Sequence, residues 1–125
     1  MNRVELDGFL KAAPELRDVG APPYQSLCAT FTLITSSVRF DRKTETDVVD
    51  KSFIYCQAWE DLAELVAPWQ LGAYVHILGE LTQREVAVSA TRTERKTHVR
   101  VLVPTLVRTP PRARPAPEPG EEPSF

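Results

Sequence analysis

The fold is decided by a stretch in the middle of the chain that reads KSFIYCQAWEDLAELVA, residues 51–67. Its first nine residues alternate with period two, as side chains do when a strand points them to opposite faces of a sheet. Its last eight residues lose that alternation, and Leu62, Leu65 and Val66 follow the i, i+3, i+4 spacing of one helix face. The acidic pair before them favours a helix N-terminus, and Pro68 ends the helix. We therefore predict a strand followed directly by one short helix.

The remaining chain up to Arg108 is mainly strand-like. Period-two stretches read VELDGFL near the start, CATFTLITS from Cys28, AYVHILGEL from Ala73, and VAVSA paired with HVRVLV, which makes five or six strands. Residues 41–50 and the segment TRTERK are polar and predict a loop and a hairpin cap. The order of three strands, one helix and two strands fits an all-β OB-fold, a five-stranded Greek-key barrel with one short helix between strands 3 and 4. Other small barrels fit the same pattern.

Length and composition limit the class of protein. With 125 residues, 42% hydrophobic and 26% charged, the chain suffices for one domain, which we expect to span residues 1–108. Residues 109–125 hold six of the 11 prolines, end in PGEEPSF and predict a disordered tail with an acidic tip. No apolar run approaches the ~20 residues of a membrane span. The N-terminus lacks the features of a secretory or transit signal, so we expect a cytoplasmic protein.

Signatures of enzymes and metal sites are weak. Cys28 and Cys56 lie within apolar runs without paired spacing, so we expect two reduced core residues. His76 and His98 lie in alternating strands without Cys, Asp or Glu at ligand spacing, which favours structural roles. The chain has no Gly-rich phosphate loop, nucleophile elbow or recognisable carboxylate pair. We expect no catalytic residue, no metal, no cofactor and no enzymatic activity.

An aromatic row is the most informative chemical feature. Phe53, Tyr55 and Trp59 share one strand face, while the small apolar residues between them face the predicted interior. Aromatic rings away from a core suit nucleobase stacking, which is worth ~1–3 kcal/mol per base. Packing against another subunit explains the row equally well. Trp69 follows Pro68 and is expected to cover the bottom of the barrel instead.

Basic residues are unevenly distributed, although the net charge is only −2 and excludes a protein whose whole surface attracts phosphate. Residues 92–114 contain seven Lys or Arg and one acid. The hairpin at Arg95 and Lys96 is therefore a candidate guide for phosphates, with a solvated loop as the alternative. Other basic residues that could extend this track are Arg3, Arg39, Arg42, Lys43 and Arg84.

Several motifs together resemble the bacterial single-stranded DNA-binding protein (SSB) family over residues 1–108. MNRVEL followed by Gly8 and Leu10 resembles the opening strand of the family, APELR its following loop and ATFTL its second strand. FIYCQAW and LAELVA are similar to the third strand and the helix, and GAYVHILGEL at residues 72–81 is similar to the fourth strand. The chain also ends in an acidic segment that closes with Phe125, as family members do.

This resemblance implies an OB-fold that assembles as a homotetramer, with a dimer as the alternative, and that wraps single-stranded DNA. By position, Phe53 and Trp59 match stacking aromatics, and Arg3 and Arg84 match basic contacts. Another stacking aromatic usually lies where this chain has Arg39 and Phe40. The chain departs from the family at two places. Val86 replaces a frequent aromatic, and Glu60-Asp61 replaces a common Gly-Lys, which puts negative charge beside Trp59.

The end of the chain is a candidate site for protein partners. In the SSB family the acidic tip recruits replication and repair enzymes, which implies a docking role for Glu121, Glu122, Pro123 and Phe125. An aromatic side chain flanked by carboxylates suits an apolar pocket with a basic rim. A merely solubilising tail is the alternative.

Three functions follow in order. The first is sequence-independent binding and protection of single-stranded DNA in replication, recombination and repair, by a nucleoid-associated protein that uses stacking and a Lys/Arg track. The second is an adaptor of the primosome or replication-restart type, which acts through protein contacts. The third is a sugar- or nucleotide-binding enzyme domain on the same fold.

Overall fold

The computed structural model describes residues 1–110, which form six strands and one helix. The elements are β1 (Val4–Leu10), β2 (Glu15–Val19), β3 (Ser26–Asp41), β4 (Thr46–Trp59), α1 (Asp61–Val66), β5 (Tyr74–Ser89) and β6 (Arg92–Arg108). The strands form one sheet in the order β1-β5-β6-β4-β3-β2, and an additional β1–β3 pairing closes five of them into a barrel. The predicted fold class is confirmed, with α1 between the predicted strands 3 and 4, which are β4 and β5. The sixth strand, β2, adds to the edge of β3.

Two glycines permit the close strand contacts of the barrel. A Cβ atom at Gly8 would collide with the carbonyl oxygen of Ile34, at the point where β1 passes from β5 to β3. A Cβ atom at Gly79 would collide with the carbonyl oxygen of Arg100, next to a register shift between β5 and β6. A register shift of this kind bends a strand and increases its twist. Glycine at both positions therefore allows the sheet to curve into a closed barrel.

The core fills the barrel and is closed at one end by α1. Its largest fully buried side chains are Leu10, Leu33, Val66, Val75, Ile77, Val99 and Val101. Ala63 and Val66 are the buried residues of α1, whereas Leu65 is exposed, so the predicted apolar face of the helix is wrong at Leu65. Because α1 has only six residues, only the side of the helix that faces the barrel is buried. Trp69 is 7% exposed and packs edge-on against Phe31 at 5.7 Å between ring centroids, which confirms its structural role.

Three connections differ from the sequence-based prediction. Residues 46–50 belong to β4 and not to a loop, because the β3–β4 hairpin continues to the Asp41–Thr46 pair. AYVHILGEL and VAVSA form the single strand β5, and most of TRTERK lies in β6. APELR contributes to the strand β2 and not only to a loop. These segments extend beyond the barrel core and are largely exposed on both sides, so they lack the apolar alternation that indicates a strand.

Both cysteines are buried and free, as predicted. Burial raises the pKa of the Cys56 thiol to about 12, so this side chain stays protonated in the folded protein. The helix α1 has six residues, and no helix within residues 1–110 has the length and apolar character of a membrane span.

Candidate nucleic-acid interface

The outer face of the β3–β4 pair carries the predicted aromatic row. Cross-strand neighbours on this face are Thr32 with Tyr55 and Ile34 with Phe53, because directly paired residues of antiparallel strands project to the same side. Trp59 projects to this side as well. The row is not continuous, since Gln57 lies between Tyr55 and Trp59 and is only 4% exposed. Phe53, in contrast, is 59% exposed.

The first groove on this face, which we call the hairpin groove, lies between Tyr55 and the β5–β6 hairpin. It has a volume of about 270 Å³ and is lined by Tyr55, Arg84, Val86, Lys96, Thr97 and His98. Arg84 and Lys96 are paired across the hairpin, so their charges lie side by side. Neither forms an ion pair with another residue of the described part of the chain. An apolar ring beside two available cations can hold a base and the phosphates next to it.

His98 forms the wall of the hairpin groove opposite Tyr55. The two ring centroids are 6.4 Å apart, with the rings at 78° in an edge-on arrangement. The His98 Nε2 atom lies 2.5 Å from the hydroxyl of Thr82, its partner across the hairpin. Partial burial lowers the pKa of His98, and the positive charge of Arg84 lowers it further. His98 is therefore neutral over most of the physiological pH range.

The second groove, which we call the loop groove, lies on the other side of Tyr55. It has a volume of about 180 Å³ and is lined by Lys11, Ala12, Ala13, Glu15, Thr30, Phe31, Thr32 and Tyr55. The Lys11 backbone N–H donates to the carbonyl oxygen of Thr32 at 3.0 Å, which fixes the connection between β1 and β2 against the sheet. The Lys11 ammonium lies 5.3 Å from the centroid of the Phe53 ring. Tyr55 thus separates two grooves, each with a cation at its border.

Trp59 lies in a third groove, at the helix end of the same face. This groove measures about 350 Å³ and is lined by Trp59, Leu62, Arg100, Val101 and Leu102. Arg100 forms an ion pair with Glu80. The structure therefore does not bring Trp59 into either groove beside Tyr55. Cys28 on β3 is the cross-strand neighbour of Trp59 on β4. Burial raises the pKa of the Cys28 thiol, and the positive charges of Arg17 and Arg84 oppose that rise.

The other predicted DNA-binding residues lie apart from these grooves. Arg39 forms an ion pair with Asp50 at 2.7 Å, and it projects to the opposite side of β3 from Phe40. Phe40 is 61% exposed near the tip of the β3–β4 hairpin. Arg95 lies 3.9 Å from Glu85, its partner across the hairpin. Arg3 is exposed just before β1. The predicted partner site at Glu121, Glu122, Pro123 and Phe125 lies outside the described residues.

Sequence reasoning missed Lys11, Glu15 and His98 as groove residues. Lys11 and Glu15 have no motif, and only the fold of the β1–β2 connection brings them to Tyr55. His98 projects to the same side of its strand as Lys96, so the sequence could have indicated that it lies in this groove. The prediction placed the hairpin turn within TRTERK, whereas β5 ends at Ser89 and β6 begins at Arg92. Within residues 1–110, no group of three His, Cys, Asp or Glu is placed to hold a metal ion.

Comparisons with known proteins agree with this geometry. The model of the Single-strand binding protein family matches residues 1–106. A solved structure described as a Plasmodium falciparum SSB complex with ssDNA is similar, with a TM-score of 0.76, 17% identity, and coverage of 86% of this chain and 95% of that chain. A deletion mutant of the single-stranded DNA binding protein from Thermus aquaticus has a TM-score of 0.74 and 17% identity over 86% of this chain and 51% of that chain. A search among curated proteins gives no match.

Proposed function

The chain belongs to the single-strand binding protein family, and on that premise we propose that it binds and protects single-stranded DNA without a fixed sequence. Membership of a family of binding proteins also confirms the prediction that the chain is not an enzyme. The observation that carries the proposal is the position of Tyr55 between two grooves, with Arg84 and Lys96 beside one and Lys11 beside the other. The ring stacks on bases, and the three cations meet the phosphates.

The charges around Tyr55 favour nucleic acid over a second copy of the chain as the partner of this face. In a two-fold interface the same patch occurs on both subunits, so an interface centred on this patch would bring Arg84 and Lys96 of the two copies close together. Like charges brought together without counterions oppose such packing. A polyanion with flat apolar bases satisfies both the cations and the ring.

Trp59 marks the far end of the proposed path at the helix side of the face. Bound bases should therefore quench its fluorescence. Replacement of Trp59 by Phe is expected to remove most of the quenching, since the remaining Trp69 is buried in the core. Unchanged quenching in Trp59→Phe would place the DNA elsewhere.

A single-strand preference is the direct test of this function. We expect labelled oligo-dT to bind more tightly than a duplex of the same length in an anisotropy titration, and increasing salt to weaken binding with a shallow slope, because few phosphates are neutralised. Equal binding of the two DNA forms, or binding that ignores salt, contradicts the proposal.

The edge of β1 supports a proposal about assembly. One side of β1 pairs with β5 along Val4–Phe9, whereas the other side pairs with β3 only at Phe9 and Leu10. Within one chain the remaining backbone groups on that side form no strand pair in the described residues, and such edges pair readily with a second copy. We propose a homo-oligomer, a tetramer or a dimer. Sedimentation that gives only the 14.0 kDa monomer at micromolar concentration would refute it.

We further propose roles in replication, recombination and repair in the cytoplasm, close to chromosomal DNA, with partner recruitment by the acidic segment at Glu121, Glu122, Pro123 and Phe125. Two carboxylates beside an aromatic ring suit a basic-rimmed apolar pocket on a partner. Phe125→Ala should reduce capture of replication and repair proteins from a lysate and leave affinity for oligo-dT unchanged. Equal capture by both forms would contradict the docking role.

A further inference from the structure

The loop groove contains an acidic residue where the proposed function calls for none. Glu15 lines this groove together with Thr30, Thr32 and Tyr55, whereas the hairpin groove on the other side of Tyr55 has two cations and no acid in its lining. A carboxylate repels phosphate, so it weakens the backbone contacts on which general DNA binding depends. Its position in the groove that Tyr55 borders therefore points to a contact with a base and not with the backbone.

The size of the loop groove fits one base ring. Its volume of about 180 Å³ is below the ~300 Å³ at which pockets for drug-sized ligands begin. Tyr55 contributes aromatic surface, and the Cα–Cα register sets Thr32 directly beside Tyr55 and Glu15 directly beside Thr30. A pyrimidine seated against Tyr55 thus has polar groups along its edge. The Lys11 ammonium lies over Phe53 at the border of the groove, where the adjoining phosphate would pass.

The hydrogen-bonding groups of this edge distinguish between the two pyrimidines. An ionised carboxylate only accepts hydrogen bonds, whereas threonine hydroxyls both donate and accept. Cytosine presents the N4 amino group, which donates to a carboxylate, and it presents acceptors at N3 and O2, which the two hydroxyls can satisfy. Thymine presents the O4 carbonyl where cytosine has the amino group, so it places an acceptor against the carboxylate.

We propose that the loop groove is a base-selective subsite that takes a cytosine ring in preference to thymine, with Glu15 as the residue that determines this preference. The inference rests on the proposed function, because it concerns one base of a bound DNA strand. The remaining surface binds that strand without a preference for particular bases. Modest base preferences of this kind are compatible with general single-strand binding.

The test compares two homopolymers that differ at the base edge in question. Oligonucleotides of 5-methyl-deoxycytidine and of thymidine both carry the ring methyl group. Their bases differ only in that thymine has the O4 carbonyl in place of the N4 amino group and a proton on N3. Affinities are measured at mildly alkaline pH, where cytosine N3 is unprotonated, for the unchanged protein, Glu15→Gln and Asp18→Asn. Asp18 lies on the same strand with the opposite side-chain parity, so its variant controls for the loss of one negative charge.

We expect Glu15→Gln to lower the ratio of 5-methyl-deoxycytidine affinity to thymidine affinity about fivefold to tenfold, which is the size of effect expected for one charge-assisted hydrogen bond that is partly exposed. A glutamine amide offers both a donor and an acceptor and therefore accepts either base. Asp18→Asn should raise both affinities slightly and leave their ratio unchanged. Glu15→Ala should also lower the ratio.

The outcomes separate the two proposals. If the unchanged protein binds neither oligonucleotide better than duplex, the proposed function fails. If it binds both, and the ratio is the same in the unchanged protein, Glu15→Gln and Glu15→Ala, the base-selective subsite alone is overturned. If Asp18→Asn lowers the ratio as much as Glu15→Gln does, the effect comes from overall charge and the subsite is again overturned.

Discussion

Two surfaces of the barrel combine aromatic rings with charged side chains, and they differ in how the charges are paired. On the groove side, Tyr55 lies beside Arg84 and Lys96, which form no ion pair within residues 1–110. On the β1–β5 side, Tyr74 packs edge-on against Phe9 at 4.9 Å, and Arg108 lies 5.5 Å from its ring centroid. That side also holds the pair of His76 and Glu5, whose side chains are 2.9 Å apart.

This difference shows that an exposed aromatic ring alone does not indicate nucleobase stacking. On the β1–β5 side the Asp7 side chain hydrogen-bonds with Tyr74 and Glu5 pairs with His76, so carboxylates lie where a polyanion would have to bind. A ring next to uncompensated cations can bind a base while the phosphates on either side are neutralised. We therefore propose the groove side as the surface for DNA and the β1–β5 side as the surface for contact between subunits.

Charge reversal at the β5–β6 hairpin should have the largest effect on DNA binding. Replacing both Arg84 and Lys96 by Glu should lower affinity for oligo-dT more than tenfold at low salt, because two phosphate contacts become repulsive. Replacing both by Ala should reduce the salt slope by about 1.4, since each neutralised phosphate of a single strand contributes ~0.7. The measurement is an anisotropy titration over a series of salt concentrations.

Arg95→Glu is the matched control for this experiment, because Arg95 lies on the same hairpin but beside Glu85. The single variants Arg84→Glu and Lys96→Glu change the charge by the same amount as Arg95→Glu, and Arg95→Glu should reduce affinity much less than either of them. An equal loss in Arg95→Glu would show that only the total charge of the hairpin matters.

Separate replacement of Tyr55 and Tyr74 by leucine tests whether the two surfaces differ in DNA binding. Tyr55→Leu should cost ~1–3 kcal/mol of single-strand affinity, the value of one stacked base. Tyr74→Leu removes the corresponding ring from the β1–β5 side and should leave the affinity for single-stranded DNA per protomer unchanged. Any change that it causes should appear in the sedimentation of the oligomer. Loss of DNA affinity in Tyr74→Leu at unchanged oligomeric mass would reverse the assignment of the two surfaces.

The backbone at Glu60 provides a smaller prediction next to the groove face. Its φ of 55° and ψ of −121° lie in a region that favours glycine, and Glu60 makes no side-chain cap for α1. A strained residue of this kind costs of order 1–3 kcal/mol. Glu60→Gly should therefore raise the free energy of unfolding by about 1 kcal/mol in urea denaturation, and it should strengthen binding by removing a negative charge beside Trp59. A less stable variant would contradict this account of the turn.

The smallest expected effect is the pH response of His98. Because the folded protein lowers the pKa of His98, the unfolded chain binds the proton more readily. The contribution of neutral His98 to stability is therefore complete above the unfolded pKa of about 6.5 and is lost as the pH falls through and below that value. Urea unfolding at several pH values should show a steeper loss of stability on acidification than in His98→Gln. Parallel pH profiles of the two proteins would contradict it.

The alternation of KSFIYCQAW predicted the buried residues Cys56 and Ala58 and the opposite projection of Phe53 and Tyr55, but it did not predict that Gln57 on that opposite side is buried. The same reasoning could not find β2 or the outer half of the β3–β4 hairpin, where both sides are exposed and no apolar period is required. The strands there are held by backbone pairing.

The candidate site was less accessible to sequence reasoning than the fold. Arg84 and Arg95 are both basic residues of one hairpin, but strand parity puts the first beside Tyr55 and the second beside Glu85. Choosing between them requires the position of the turn, which the sequence placed within TRTERK and the structure places before Arg92. Lys11 and Glu15 reach the site only through the path of the β1–β2 connection.

Photocrosslinking of a single-stranded oligonucleotide that carries 5-iodo-deoxyuridine shows directly whether bases stack on Tyr55, because the iodinated base crosslinks to aromatic rings against which it stacks. Digestion and mass spectrometry then identify the modified residue. We expect crosslinks at Tyr55, with Phe53 and His98 as the nearest further sites, and we expect excess unmodified oligo-dT to abolish them. Crosslinks concentrated at Phe9 or Tyr74, with Tyr55 unmodified, would contradict the assignment of the groove side to DNA.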